Sequence, residues 1–337
     1  MTASTMNMSH VTDDAPVTAR SPLQLALRRL RADRVAVASA AVIALAVVVA
    51  LAAPLATVLT GHDPNMQYRE TGLDSFGTPV GPNSEFWLGT DQLGRDLFVR
   101  LAYGARISLL VGALATVCSL GIGTLVGLVA GFRRGKVDVV LNWLMDTTLS
   151  LPQLLFAISL VSLAGPGLAV TVAVIVLFTW APIARVVRGQ VLSLREREFV
   201  EAATSLGAKN RRIMAVDILP NLLVPIVIYG TLLVPQAIVF EAMLSFLGLG
   251  VLPPTATWGN MLAAASAGSL YTVAWWMVAF PAAALLALTL AFNLLGDSVR
   301  DALDPRHSFR TERAKKARRK ALAADAARDE KAEEIRS

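Results

Sequence analysis

LREREFVEAATSLGAKNRRIMAVDILPN, residues 194–221, is a charged, helix-patterned stretch set between two long apolar runs. A loop that only joined two membrane helices would not need so many residues of alternating charge and helical periodicity. Leu194, Phe199, Ala203 and Leu206 fall on one apolar face, while Arg195, Glu196, Arg197 and Glu198 open the helix with charge. Gly207 suits a left-handed cap that stops this helix. A second short helix is expected from Lys209 to Ile218, ended by Pro220 because residues before proline resist the helical region. Ala202, Ala203 and Gly207 would form the small-residue corner of a compact knob that another backbone can approach closely. The plainer alternative is an amphipathic helix lying on a membrane surface.

The residues around the knob read as membrane. The chain has 337 residues, 55% hydrophobic and 17% charged, with a mean hydropathy of +0.56. A soluble domain carries about 25% charged residues. The apolar residues come in unbroken blocks, and blocks of roughly 18 or more read as transmembrane helices. Six are expected, at about 35–59, 107–130, 139–163, 168–184, 222–247 and 271–295. The fold class is therefore all-α, a polytopic membrane protein.

The net charge of +6 gathers beside the apolar blocks, which suits membrane orientation rather than a nucleic-acid groove. Arg28, Arg29, Arg31 and Arg34 precede the first block. Arg133, Arg134 and Lys136 follow the second, Arg185 and Arg188 end the fourth, and the knob itself is basic. Both termini and the knob are thus expected in the cytoplasm. Arg69, Arg95, Arg100 and Arg106 do not fit that pattern and fall in a long external segment. The N-terminus does not read as a cleaved signal peptide, because residues 1–20 are polar and the first block is too long. The tail carries Arg310, Arg313, Lys315, Lys316 and Arg318 close together. It reads as solvated, with contact to anionic lipid as the alternative.

Gly123, Gly127 and Gly131 give the second block a small-residue face for another helix. Pro152, Pro225, Pro235 and Pro281 each remove a helical hydrogen bond and can bend a span. Asp146 lies near the inner end of the third block, where snorkelling or a helix-end hydrogen bond would hold it. Glu241 lies deep in the fifth, where a lone carboxylate is costly, so a pathway or gate role stands beside interhelical hydrogen bonding. Cys118 reads as a packing residue, and a single cysteine allows no internal disulfide.

Catalytic motifs are not found in the sequence. The nearest approach to a phosphate-binding loop has Ala130 where the first glycine should be and Val137 after Lys136. The histidines, at 10, 62 and 307, all lie outside the expected spans, and no His or Cys cluster there would hold a metal. The chain is read as no enzyme by itself, with no cofactor of its own.

EAATSLGAKNRRIMAVDILPN resembles the EAA loop of bacterial ABC importer permeases. GTDQLGRDLFVRLAYGARISL at 89–109, FLGLGVLPPTATWGNML at 246–262 and NLLGDSVRDALDPR at 293–306 narrow the likeness. They resemble the second permease subunit of dipeptide, oligopeptide and nickel importers, from about Pro22 to Arg306. Thr255-Ala256-Thr257 and the alanine after Pro281 depart from that subgroup's usual residues.

The resemblance implies six helices of the type I ABC importer permease fold, in the bacterial cytoplasmic (inner) membrane. It implies a disordered 1–22, a basic segment and first helix at 23–60 and an extracytoplasmic segment at 61–102. A permease domain at 103–297 holds the loop at 194–221, and a charged tail covers 298–337. A homologous permease subunit would complete the pathway. Two ATPase subunits would carry ATP and Mg, and an extracytoplasmic binding protein would deliver substrate. Glu201, Ala202, Ala203, Gly207, Ile213, Leu219 and Pro220 would couple the chain to an ATPase. Peptides are the expected substrate, with a nickel chelate or another small solute as the alternative. A passive six-span channel remains the reading from another class.

Overall fold

Proline and glycine decide where the apolar blocks break. In the computed structural model, residues 22–303 are described; the expectations placed on 1–21 and on the basic tail from 304 onward fall outside them. The chain divides into two compact units, one drawn from 1–32 and 302–337 and one spanning Asp33–Asp301. In the first, α1 (Pro22–Ala32) starts on proline and carries Arg29 and Arg31 in its last turn. There the cations oppose the negative end of the helix dipole.

The second unit opens with α2 (Arg34–Leu51), capped by the Asp33 carboxylate, which accepts from the Val35 N–H at 2.9 Å. The first expected span is not one helix. Pro54 has no N–H to return to the helix, and a separate α3 (Ala53–Thr60) follows, ending at Gly61 with φ +74°. Between Gly61 and Asp96 the chain folds without regular helices, around Phe86, which is fully buried. The Asp91 carboxylate sits 2.7 Å from Arg95 Nε and 3.3 Å from Arg100 Nε, all three side chains buried. Two of the arginines that broke the charge pattern are therefore neutralised locally.

α4 (Leu97–Arg133) is 37 residues long. At 1.5 Å per residue that is about 55 Å, well beyond a hydrocarbon core of about 30 Å. The helix begins ten residues' worth of chain before the expected span because Asp96 caps it, accepting from the Phe98 and Val99 N–H groups. The irregular segment after α3 accordingly ends at Asp96.

The third expected span is also corrected. α5 (Gly135–Ser150) and α6 (Gln153–Ala164) meet at 91°. Leu151, held extended before Pro152 (φ −75°, ψ 134°), makes the corner.

α7 (Leu168–Arg195) runs on past its expected end to the knob. α8 (Glu198–Ser205), α9 (Asn210–Arg212) and a π-wound turn at Ile213–Ile218 follow, leading straight into α10 (Leu219–Phe246). α11 (Trp258–Ser266), a 3₁₀ segment at Ala267–Thr272 and α12 (Trp276–Leu303) complete the described chain. Among the described residues five helical stretches are long and apolar enough to cross a membrane, and the bent α5–α6 pair makes a sixth if counted as one span.

The glycine face of α4 packs on α7. A Cβ added at Gly123 would lie 2.7 Å from the Trp180 carbonyl oxygen, and one at Gly127 would lie 2.5 Å from that of Ala184. At Gly131 it would lie 2.9 Å from the Arg188 carbonyl oxygen. Backbone meets backbone along more than two turns, the geometry that small residues permit in membrane helices.

Candidate functional site

The knob is built from the ends of two long helices. α8 closes in a two-bond motif: the Gly207 N–H donates to the Thr204 carbonyl at 2.9 Å and the Ala208 N–H to that of Ala203 at 3.0 Å. Gly207 sits at φ +77°, the left-handed position that this closure needs. Pro220 does not end the second helix as expected. It occupies the first turn of α10, where a missing N–H is tolerated. The turn before it is wound as a π-helix, a form that absorbs a gap in the regular ladder.

Burial sorts the expected coupling residues into two kinds. Glu201, Ala202, Gly207 and Pro220 are exposed, and Ala203 and Leu219 are half-buried. Ile213 is 1% exposed, packed with Val200, Ile218, Val191 and Leu222 beneath the knob. It anchors the knob rather than presenting it. The apolar face is also rotated from its expected position: Val200 points inward, while Phe199 and Leu206 stand 43% and 88% exposed. Phe199, Ala202, Leu206 and Gly207 edge a shallow concavity of about 470 Å3. Exposed apolar surface of this kind, rimmed by charge, suits a contact with another chain or with a membrane surface.

Three ion pairs brace α7 near the knob. Arg188 binds Asp138 with two hydrogen bonds of 2.6 and 2.7 Å. Arg185 pairs with Asp146, and Arg134 Nη2 lies 2.7 Å from Glu196 Oε1. Asp146 is thus paired with Arg185 of the neighbouring α7. Sequence reading missed these pairs; the signal available was two acids on α5 facing two arginines on α7.

Glu241 is fully buried. Its carboxylate accepts from Ser108 Oγ of α4 at 3.0 Å and from Ser245 Oγ, one turn on, at 2.7 Å. Ser245 Oγ in turn accepts from the Val251 N–H at 3.3 Å. The carboxylate therefore ties α4, α10 and the loop ahead of α11 together. The interhelical alternative describes its surroundings. Glu241→Leu should leave two buried hydroxyls without their acceptor, costing roughly 1–3 kcal/mol, whereas Glu241→Gln keeps an acceptor. The thermal midpoint of the purified protein should fall for the first and hold for the second.

A second concavity, of about 630 Å3, opens where α5 breaks from α6 and is walled by α7, α10 and α12. Glu241 is not on its wall.

The bundle is that of a helical membrane protein, and its relatives are transport components. Residues 123–308 match the family described as binding-protein-dependent transport system inner membrane component. Residues 21–74 match the N-terminal TM domain of oligopeptide transport permease C. The chain is 44% identical over 245 residues to the di/tripeptide transport system permease protein DppC of Pseudomonas aeruginosa, covering 73% of this chain and 80% of that protein. It is 39% identical over 289 residues to the dipeptide permease DppC of Alkalihalophilus pseudofirmus, covering 86% and 91%. The oligopeptide permease OppC of Bacillus subtilis is 38% identical over 281 residues, covering 83% and 88%. This chain belongs to the DppC/OppC-type family of binding-protein-dependent inner-membrane permeases. It is an integral protein of the inner membrane, and its family is one of transport components.

Proposed function

We propose that the chain forms half of the translocation pathway of an ATP-driven importer of short peptides, and that the knob at 194–221 receives the motion that drives it. One observation carries the coupling reading. Phe199, Ala202 and Leu206 are exposed on a knob that is continuous with α7 and α10 and shares an apolar cluster with them, and both helices are long enough to span the membrane. A push on the knob is thereby a push on both spans, which suits a rigid-body switch between two states.

In this reading a homologous permease subunit supplies the other half. Two ATPase subunits holding ATP and Mg dock from the cytoplasm, one of them on the knob, and a binding protein meets the external segment. Glu201, Ala202, Ala203 and Gly207 meet the ATPase, while Ile213, Leu219 and Pro220 hold them in place. Glu241 acts as a latch beside the pathway, keeping the outer end of α10 in register with α4. The peptide assignment is supported by the names of the relatives. The cytoplasmic termini are supported by the arginines flanking α2 and α7.

Topology gives the direct test. Ser205 is exposed at the end of α8. Ser205→Cys should react with a membrane-impermeant thiol reagent in inside-out vesicles and not in intact cells. Labelling from outside would overturn the orientation, and failure of any ATPase to co-purify would overturn the coupling.

A further inference from the structure

The concavity at the α5–α6 break has an unusual chemical lining for the middle of a membrane bundle. α7, α10 and α12 are each 28 residues long, and each contributes wall residues from near its own midpoint, among them Pro182, Gln236 and Thr289. Gln153, Tyr229, Gln236 and Asn293 bring three amides and a phenol to this wall, and no residue lining it carries a charge. None of these four side chains makes a hydrogen bond to any described residue. Polar groups at membrane depth are costly and, where they persist, face a bundle interior or a water-filled cavity. Gln153, Gln236 and Asn293 are exposed and Tyr229 is half-buried, so their open hydrogen-bonding capacity is accessible to a ligand in the cavity.

Pro182 and Pro235 both line the cavity. Neither has an N–H, so the carbonyls four residues earlier, Phe178 and Thr231, receive no helical hydrogen bond from them. The three side-chain amides on the wall offer both donors and acceptors, without a fixed charge. An extended peptide presents the complementary set, one N–H and one C=O per residue, whatever its side chains are.

We propose that Gln153, Gln236 and Asn293 hydrogen-bond to the main chain of the peptide in transit. The wall would then recognise peptide bonds while remaining indifferent to side-chain charge. This rests on the importer reading above. It differs from that reading in saying which surface touches the cargo and which part of the cargo is touched.

The test uses the assembled complex with its binding protein in proteoliposomes. Uptake of a short peptide is compared with that of the same peptide N-methylated at one amide, in the native complex and in Gln153→Leu, Gln236→Leu and Asn293→Leu. The binding protein contributes the same preference to every measurement, so a change in the ratio belongs to the permease. Uptake of the unmethylated peptide is expected to fall about tenfold per lost hydrogen-bonding group. Its advantage over the methylated form should narrow in the same variants, while nucleotide hydrolysis by the complex persists. Unchanged uptake overturns the proposal, as does reduced uptake with an unchanged ratio. Loss of assembly in all three variants also overturns it, since a neighbouring subunit would then be what fills the groove. If the native complex takes up no peptide, the importer reading itself has failed.

Discussion

Gly127→Val should leave little folded permease in the membrane, while Gly121→Ala on the same helix should be neutral or mildly stabilising. Both glycines lie inside α4, where glycine costs up to about 1 kcal/mol relative to alanine. Propensity alone would therefore favour both substitutions. Space decides between them. A Cβ at Gly121 meets nothing within 4 Å, but at Gly127 it would lie 2.5 Å from the Ala184 carbonyl oxygen and 2.8 Å from Val187 Cβ. The carbonyl belongs to α7's own backbone and cannot rotate away, so the two helices must part. Forcing extra volume into a packed interface costs about 1–3 kcal/mol where side chains can adjust, and here they cannot. Trimming Val187 to alanine should restore little, because the carbonyl contact remains. The amount of monodisperse protein after extraction, and its thermal midpoint, would report the outcome. Wild-type yield of Gly127→Val would mean that α4 and α7 do not pack as described.

The glycine spacing in α4 was readable because packing of this kind needs only absent side chains at regular intervals. Proline was harder to read, since it marks a missing hydrogen bond and not a direction. At Pro152 the chain turns through 91°, yet α7, α10 and α12 carry Pro182, Pro225, Pro235 and Pro281 and continue as helices. The difference lies in what surrounds them. Leu151 is free to take the extended conformation that Pro152 prefers, whereas Pro182 sits in a helix packed along the glycine face of α4. Hydropathy averaged over 139–163 hides this corner, because the average merges the less apolar α5 with the more apolar α6. The knob was legible as a unit, from its charge and Gly207, whereas Pro220 opens the next helix instead of closing the knob. Its facing was not, because Phe199 and Val200 are adjacent apolar residues, and only packing on Ile213 and Ile218 makes Val200 the inner one. The cavity amides were passed over for a similar reason. Gln153, Gln236 and Asn293 are uncharged and far apart in sequence, and the bend at Pro152 is part of what brings them to one wall.

Gly207→Asp should yield a permease that inserts and assembles but no longer couples, with substrate-stimulated ATP hydrolysis by the complex lost. Two features of the site separate the effects of this substitution on fold and on partner. Inside the chain a Cβ at Gly207 meets nothing within 4 Å, so no clash opposes it. The left-handed backbone at φ +77° costs an ordinary residue roughly 1–2 kcal/mol, but Asn and Asp tolerate it better than most. The knob should therefore keep its shape. On the partner's side, the new carboxylate would stand at the edge of the concavity beside Phe199 and Leu206. Arg212 lines the same concavity and can pair with the new carboxylate, but taking a charge out of water is still costly. Since each 1.4 kcal/mol is tenfold, docking should weaken on the order of tenfold or more. Gly207→Asn is the decisive control, with nearly the same shape and backbone demand but no charge. It should keep a substantial part of the stimulated turnover that Gly207→Asp loses. Equal loss in both would assign the defect to the backbone of the cap, and normal turnover in Gly207→Asp would remove the knob from the coupling path altogether.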